Sequence, residues 1–334
     1  MALRVAIDAM GGDDAPSVVI EGALRAAQES TDGLHLVLFG PEAILREALA
    51  AHADAASLPI HIVDAPDVIG MAEAPVAAIK TKPRSSIHLG LGALKQGRVD
   101  AFISAGNTGA VMAASLFILG RLHGVARPSI PGYFPTTRGI CLVLDVGSNV
   151  DSKPEHLVQF AQMGAVYAQR LMKVEQPTVA LLNVGEEPGK GNELVKAAYD
   201  LLDEAPTLDF RGNIEGRDVM HHAADVVVCD GFVGNVLLKF GESMATAVME
   251  MVGQEIRHLG LAPDEQQVVG RVLGGVKKRF DPEEYGGAPL LGVNGTVFIG
   301  HGSSTARSIE KLIVRATRAA ELDLTHAIDA VLQD

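Results

Sequence analysis

Apolar and polar positions alternate in blocks along the chain. Short apolar runs end in polar turns, and stretches with helical spacing follow many of them. Val5-Ala6-Ile7, Ala101-Phe102-Ile103, Leu142-Val143-Leu144, Val179-Ala180-Leu181-Leu182, Val226-Val227-Val228-Cys229 and Val297-Phe298-Ile299 read as strands buried on both faces. Leu34–Phe39 and Ile60–Val63 read as two more. Leu194, Val195, Ala198, Leu201 and Leu202 recur at helical spacing after one such turn. This alternation runs from the start to about Phe240. It predicts a three-layer α/β/α fold with a largely parallel sheet and helices on both faces. The run 109–119 is apolar all round, which predicts a buried helix.

From about Phe240 to Phe280 the alternation breaks. Met249, Val252, Ile256 and Leu259 form one helical stripe, and Val268, Val269, Val272, Leu273 and Val276 form a second. Gly260 and Pro263 fall between them. The pattern predicts a helical hairpin inserted at about 240–285, before the sheet resumes at Thr296–Ile299 and a long helix closes the chain. No stretch reads as a low-complexity linker or an internal repeat. The chain is therefore expected to be a single domain over 1–334.

Composition narrows the function classes. The 334 residues are 48% hydrophobic and 21% charged, the balance of a soluble globule with a well-formed core. A net charge of -13 argues against nucleic acid as a partner. Trp is absent and aromatics are 4%, which argues against a base-stacking surface. Cys141 and Cys229 both lie in strand-like runs and read as buried thiols in a reducing cytosol. The N-terminus enters a strand at once, unlike a signal peptide. The apolar stretch Ala110–Leu119 is too short to span a bilayer. A cytoplasmic protein is expected.

The chemistry lies in the turns. Asp8-Ala9-Met10-Gly11-Gly12-Asp13, Ser104-Ala105-Gly106-Asn107-Thr108-Gly109, Asp145-Val146-Gly147-Ser148-Asn149, Asn183-Val184-Gly185, Asp230-Gly231-Phe232-Val233-Gly234-Asn235 and Gly300-His301-Gly302-Ser303-Ser304 each follow a strand-like run. Open α/β sheets bind ligands at the carboxyl ends of their strands. Glycine lets backbone N–H groups turn inward, and helix N-termini add partial positive charge. The implied ligand is a small anion, most simply phosphate. The expected phosphate- or substrate-binding residues are Asp8, Gly11, Gly12, Ser104, Gly106, Asn107, Thr108, Gly109, His301, Gly302, Ser303 and Ser304. Ser104, Asn107 and Thr108 fit either a helix cap or a phosphate ligand. His301 fits either an acid/base group or a hydrogen-bonded structural residue.

Familiar cofactor motifs are missing. The segment from Gly185 to Gly191 resembles a Walker A loop, but only three residues separate Gly185 from Gly189, and Gly191 follows Lys190 where Ser or Thr is needed. No turn offers G-x-G-x-x-G after a strand, and no C-x-x-C or H-E-x-x-H occurs. No cofactor and no metal are expected. Lys190 is the cation within the Gly-rich turns, and it fits an anion clamp or a solvated loop lysine. Asn235 fits an N-cap or an amide donor to an oxyanion.

At these residues the chain resembles the bacterial phosphate acyltransferase family, the acyl-ACP:phosphate acyltransferases of phospholipid synthesis. The turns quoted above carry the resemblance, with Lys153-Pro154-Glu155-His156-Leu157, Lys190-Gly191-Asn192-Glu193 and Tyr285-Gly286-Gly287-Ala288. They cover nearly the whole chain. The resemblance implies a fold similar to phosphotransacetylases and to isocitrate- and isopropylmalate-type dehydrogenases. It implies transfer of a long-chain acyl group from acyl carrier protein to inorganic phosphate. It also implies a homodimer, and catalytic roles for Lys190 and Asn235. The product would pass to a membrane glycerol-3-phosphate acyltransferase. A short-chain phosphotransacetylase and a non-catalytic phosphate-binding or membrane scaffold remain as alternatives. An acidic carrier needs a basic patch, and Arg307, Lys311, Arg315 and Arg318 fall on one helical face. The hairpin fits dimer or core packing, or peripheral membrane contact beside Lys277-Lys278-Arg279.

Overall fold

The computed structural model describes residues 2–30 and 33–333. Along the chain run β1 (Arg4–Asp8), α1 (Ser17–Glu29), β2 (His35–Gly40), α2 (Glu42–Ala50), β3 (Ile60–Asp64), α3 (Pro75–Thr81), α4 (Ser86–Lys95), β4 (Ala101–Ser104) and α5 (Thr108–Ile118). There follow β5 (Gly132–Pro135), β6 (Ile140–Leu144), α6 (Pro154–Leu171), β7 (Thr178–Leu182), α7 (Glu193–Asp203), β8 (Asp209–Ile214), α8 (Gly216–Val219) and β9 (Val226–Val228). The last elements are α9 (Gly231–Leu259), α10 (Pro263–Arg279), β10 (Ala288–Pro289), β11 (Val297–Ile299), α11 (Ala306–Glu321) and α12 (Leu324–Gln333). Each apolar run read as a strand is one. The strands are shared between two sheets, in two compact units.

The first unit takes Met1–Ile130, Val166–Glu175 and Tyr285–Asp334. Its sheet has the order β10-β11-β4-β1-β2-β3, parallel throughout except for β10 at the edge. Val5 of β1 lies opposite Leu36 on one side and Ala101 on the other. Helices close on the sheet where side chains are missing. Gly90 of α4 lies over the Phe102 ring, and a Cβ there would come within 2.5 Å of it. Helices α1 and α11 meet at Gly22, where a Cβ would stand 2.6 Å from Ile309 and 2.7 Å from the Ala306 carbonyl oxygen. Helix α11 buries Ile309, Leu312, Ile313 and Ala316 on that side.

The second unit takes Pro131–Ala165 and Gln176–Glu284. Its sheet has the order β5-β6-β9-β7-β8, with β5 antiparallel at the edge. Val226, Val227 and Val228 sit between β6 and β7 and are fully buried.

Two expectations change in detail. The helix read as buried, α5, buries Ala110, Val111, Ala114 and Ile118 but exposes Leu116 and Phe117. Its apolar composition hid which face meets the sheet. The hairpin starts before Phe240. Helix α9 opens at Gly231, directly after β9, because the Asp230 carboxylate accepts the Phe232 and Val233 N–H groups at 3.0 Å each. Gly260 ends α9 with φ +60°, and Pro263 opens α10. Among the described residues no helix is long and apolar enough to cross a membrane.

Gly22→Val should force α1 and α11 apart at a cost of about 1–3 kcal/mol. Thermal unfolding would register a lower midpoint. An unchanged midpoint would contradict the close approach.

Candidate active site

In the first unit, the turns after β1, β4 and β11 stand at the carboxyl ends of three adjacent parallel strands. Asp8 forms their floor and is only 2% exposed. Its carboxylate accepts the Ser104 hydroxyl at 2.6 Å and the Met10 N–H at 3.2 Å. The Ser86 hydroxyl reaches it as well. Burial pushes the Asp8 carboxyl above its ordinary value, against hydrogen bonds from Ser104, Ser86 and Met10 that favour the ion. Ser104 Oγ also accepts the Gly106 N–H at 3.0 Å.

Glycine is required over this floor. A Cβ on Gly11 would fall 2.5 Å from Asp8 Oδ2 and 2.6 Å from the Gly106 nitrogen. Gly12 holds φ +116°. Backbone bonds tie the turns together: Asp13 N–H donates to the Gly302 carbonyl at 2.8 Å, and Gly300 N–H to the Ser104 carbonyl at 2.8 Å.

Asn107 caps α5, its Oδ1 accepting the Ala110 N–H at 3.0 Å. Its amide donates to the carbonyls of Met71 at 3.0 Å and Glu73 at 2.9 Å. Asn107 therefore acts as a cap and a strap. Thr108 opens the helix at the surface, and Gly109 follows it against Pro75. His301 is exposed, and its Nδ1 pairs with the Ser303 hydroxyl at 2.8 Å. The Ser304 hydroxyl donates to the His301 carbonyl at 2.6 Å. The expected binding residues thus lie in one unit and in adjoining turns. Asp8, Ser104 and Asn107 support them from below, while Thr108, His301 and Ser303 face solvent.

Lys190 and Asn235 lie in the second unit, beyond the carboxyl ends of adjacent strands β7 and β9. The Lys190 turn is held on its backbone. Lys190 N–H donates to the Glu187 carbonyl at 3.0 Å, and the Asn183 amide donates to the Lys190 carbonyl at 3.1 Å. Gly191 has φ +91°, and a Cβ there would fall 2.5 Å from Asn183 Oδ1. Asn192 caps α7 by accepting the Val195 N–H at 3.0 Å. The exposed Lys190 ammonium therefore stands just ahead of a helix N-terminus.

Asn235 is not the cap of α9. Asp230 holds that position, and Asn235 lies exposed in the early turns of the helix. Its side chain rests on Gly147, where a Cβ would stand 3.4 Å from Asn235 Cγ. Gly234 seats the helix, since a Cβ there would lie 1.9 Å from the Asp145 carbonyl oxygen. Asp145 is fully buried and accepts the Asn149 N–H at 2.5 Å. An exposed ammonium, an exposed amide and glycine-lined backbone can hold an anion and donate to a developing oxyanion.

Asn183 and Asp145 position these groups, yet neither stands out for chemistry in sequence. The only signal is a polar residue at the end of each apolar strand, before a glycine. Other groups are structural. Burial pushes Cys141 up to about 12 and raises Cys229, so neither offers a ready thiolate. His222 is held between Thr136 Oγ1 at 3.0 Å and Asp225 at 3.2 Å. Arg315, the centre of the basic stripe, donates to the Tyr167 hydroxyl at 2.7 Å and lies over the Tyr285 ring. It is a packing group, which weakens that stripe as a docking surface.

The fold defines the class first. Over 96% of this chain, the phosphotransacetylase from Streptococcus pyogenes superposes with a TM-score of 0.62 at 18% identity, covering 94% of that chain. The 4-hydroxythreonine-4-phosphate dehydrogenase from Klebsiella pneumoniae gives 0.56 at 14% identity, over 96% of this chain and all (100%) of that one. The fold is thus that of phosphotransacetylase- and dehydrogenase-like α/β enzymes.

The family follows from sequence. The chain is 55% identical to the phosphate acyltransferase of Salinibacter ruber, over 99% of this chain and 98% of that protein. It is 47% identical to that of Desulforamulus reducens, over 99% and 98%. Residues 3–327 match the family described as fatty acid synthesis protein. The chain belongs to this family of phosphate acyltransferases, and it is an acyltransferase.

Asp8 holds its proton more tightly when folded than when unfolded. Its contribution to stability therefore falls as pH rises from about 3.8 through the raised folded value. Asp8→Asn removes that component. In urea unfolding, wild-type stability minus variant stability should decline across this window and level off above it. Parallel pH profiles would contradict the buried floor.

Proposed function

We propose that the protein transfers a long-chain acyl group from the thioester of acyl carrier protein to inorganic phosphate. The products are acyl-phosphate and free carrier, on the way to phosphatidic acid. The observation that carries this is the pair Lys190 and Asn235, both exposed at the carboxyl ends of neighbouring strands. The names of the full-length relatives support the reaction class. The family match covers residues 3–327, which include residues of both units.

Phosphate is held by the Lys190 ammonium and turn N–H groups. In the first unit, the turns with Gly11, Gly12, Gly106, Thr108, Gly109 and His301 to Ser304 offer backbone and hydroxyl donors to an anionic group. Phosphate is already charged, so positioning matters more than deprotonation. One phosphate oxygen attacks the thioester carbonyl, and the carbonyl electrons move to oxygen. Asn235 donates to that oxyanion. The C–S bond then breaks, and the carrier leaves as a thiolate whose conjugate acid has a pKa of about 8.5. No covalent enzyme intermediate is needed.

The enzyme works in the cytoplasm as a homodimer with peripheral membrane contact. Exposed Phe240, Met251, Leu259, Val268 and Val272 on α9 and α10 support both roles. Lys277, Lys278 and Arg279 end α10 at the surface, where anionic lipid would meet them. The labile, lipophilic product passes to a membrane glycerol-3-phosphate acyltransferase.

The test is phosphate-dependent release of carrier thiol from palmitoyl-acyl carrier protein, with acetyl-CoA in parallel and acyl-phosphate trapped by hydroxylamine. Release with the carrier substrate alone is expected. Activity with acetyl-CoA alone would make the protein a short-chain phosphotransacetylase, and no activity would leave a phosphate-binding scaffold. Lys190→Ala and Asn235→Ala should each lower kcat roughly 10²–10³-fold, with folding retained because both side chains are exposed. Wild-type turnover in either variant would remove that residue from the mechanism.

A further inference from the structure

Helix α5 has no charged residue along Thr108–Ile118. One face packs on the core through Ala110, Val111, Ala114 and Ile118. The rest of the helix carries Gly109 under Pro75, Met112 half-buried at the edge of that core, Ala113, and the exposed Leu116 and Phe117, of which Phe117 is 77% exposed. A stripe this apolar is unusual on a solvent-facing helix and points to something that covers it.

Its position says what. The stripe starts at the turn that carries Asn107 and Thr108, in the cluster of anion-type turns. Helix α3 lies beside it, with Pro75 against Gly109 and Val76 exposed. Asn107 straps the preceding segment down through the carbonyls of Met71 and Glu73. That strap lays the Met71 side chain on Gly302, where a Cβ would stand 2.7 Å from Met71 Cε. A polar end therefore continues directly into an apolar track. The eleven residues of α5 make it roughly 16 Å long.

We infer that Met71, Val76, Met112, Leu116 and Phe117 form the track for the hydrocarbon chain of the acyl substrate. This rests on the proposed function and adds where chain length is read. An acyl-phosphate or acyl thioester is amphiphilic in the same sense: a polar reacting end with a long apolar tail. Thr108 and Gly109 begin the helix at the polar end. Met112 is flexible and polarisable, which suits tails that differ in length or unsaturation. Phe117 lies farthest from the turn and would meet only long chains.

The experiment compares palmitoyl and butyryl thioesters of acyl carrier protein in wild type, Phe117→Ala and Phe117→Asp. Phe117→Asp should lower the palmitoyl-to-butyryl ratio of kcat/KM by about tenfold or more, through a higher KM for the long chain. Phe117→Ala should give a smaller drop. Phe117 is exposed, so both variants should fold. An unchanged ratio would overturn the inference. An unchanged ratio with an altered oligomeric state by light scattering would instead make this face an interface between copies. If wild type transfers neither acyl group, the proposed function fails. Binding of a pyrene-labelled long-chain fatty acid then decides the track: weaker binding to Phe117→Asp supports it, and equal binding overturns it.

Discussion

In each unit a buried aspartate at the carboxyl end of an interior strand supports glycine turns that nothing larger could occupy. Asp8 ends β1 and lies under Gly11, whose Cβ would meet its Oδ2 at 2.5 Å. Asp145 follows β6 and lies under Gly231, whose Cβ would meet its Oδ2 at 2.6 Å. A buried carboxyl group is costly unless it is hydrogen-bonded. Ser104, Ser86 and the Met10 N–H satisfy Asp8, and Asn149 satisfies Asp145 through its backbone and its amide. Those bonds draw neighbouring turns together. Without them the turns would have no common floor.

That arrangement separates support from chemistry. A carboxylate facing the substrate would repel an anion, and Asp8 and Asp145 are turned away from solvent. The groups at the surface that can donate to an anion are Lys190 and Asn235 in one unit and Thr108, His301 and Ser303 in the other, with the exposed carboxylates of Glu186 and Glu187 beside Lys190 and Asp13 beside the second set. The helices that begin at these turns add oriented N–H groups. A phosphate acyltransferase needs little more than this, since its nucleophile is already charged and its leaving group departs readily. Precise placement of two substrates is the main demand, and a rigid strand-end scaffold meets it.

Much of this was legible in sequence because its signals are local. Apolar runs bounded by Gly-rich turns mark parallel strands buried on both faces, and each run is a strand in the structure. Other features depend on partners far along the chain. Asn235 reads as a cap until Asp230 is seen to accept the first N–H groups of α9. Arg315 reads as part of a surface stripe until Tyr167, distant in sequence, is seen to take its guanidinium. Helix α5 reads as buried because periodicity needs polar residues to mark a face, and α5 has too few. Asn183 shows in sequence only as a polar residue that ends an apolar run before a glycine, since its task of holding the Lys190 carbonyl exists only in the folded turn.

The central claim is that the strand-end turns of the second unit form an anion site with Lys190 as its cation. Calorimetric titration of inorganic phosphate into wild type and Lys190→Ala, with no thioester present, tests it most directly. The account predicts one saturable site in wild type and at least about tenfold weaker binding in the variant, the effect of losing roughly 1.4 kcal/mol of charge-assisted contact. Equal affinity in the two proteins, or no saturable binding in wild type, would contradict it.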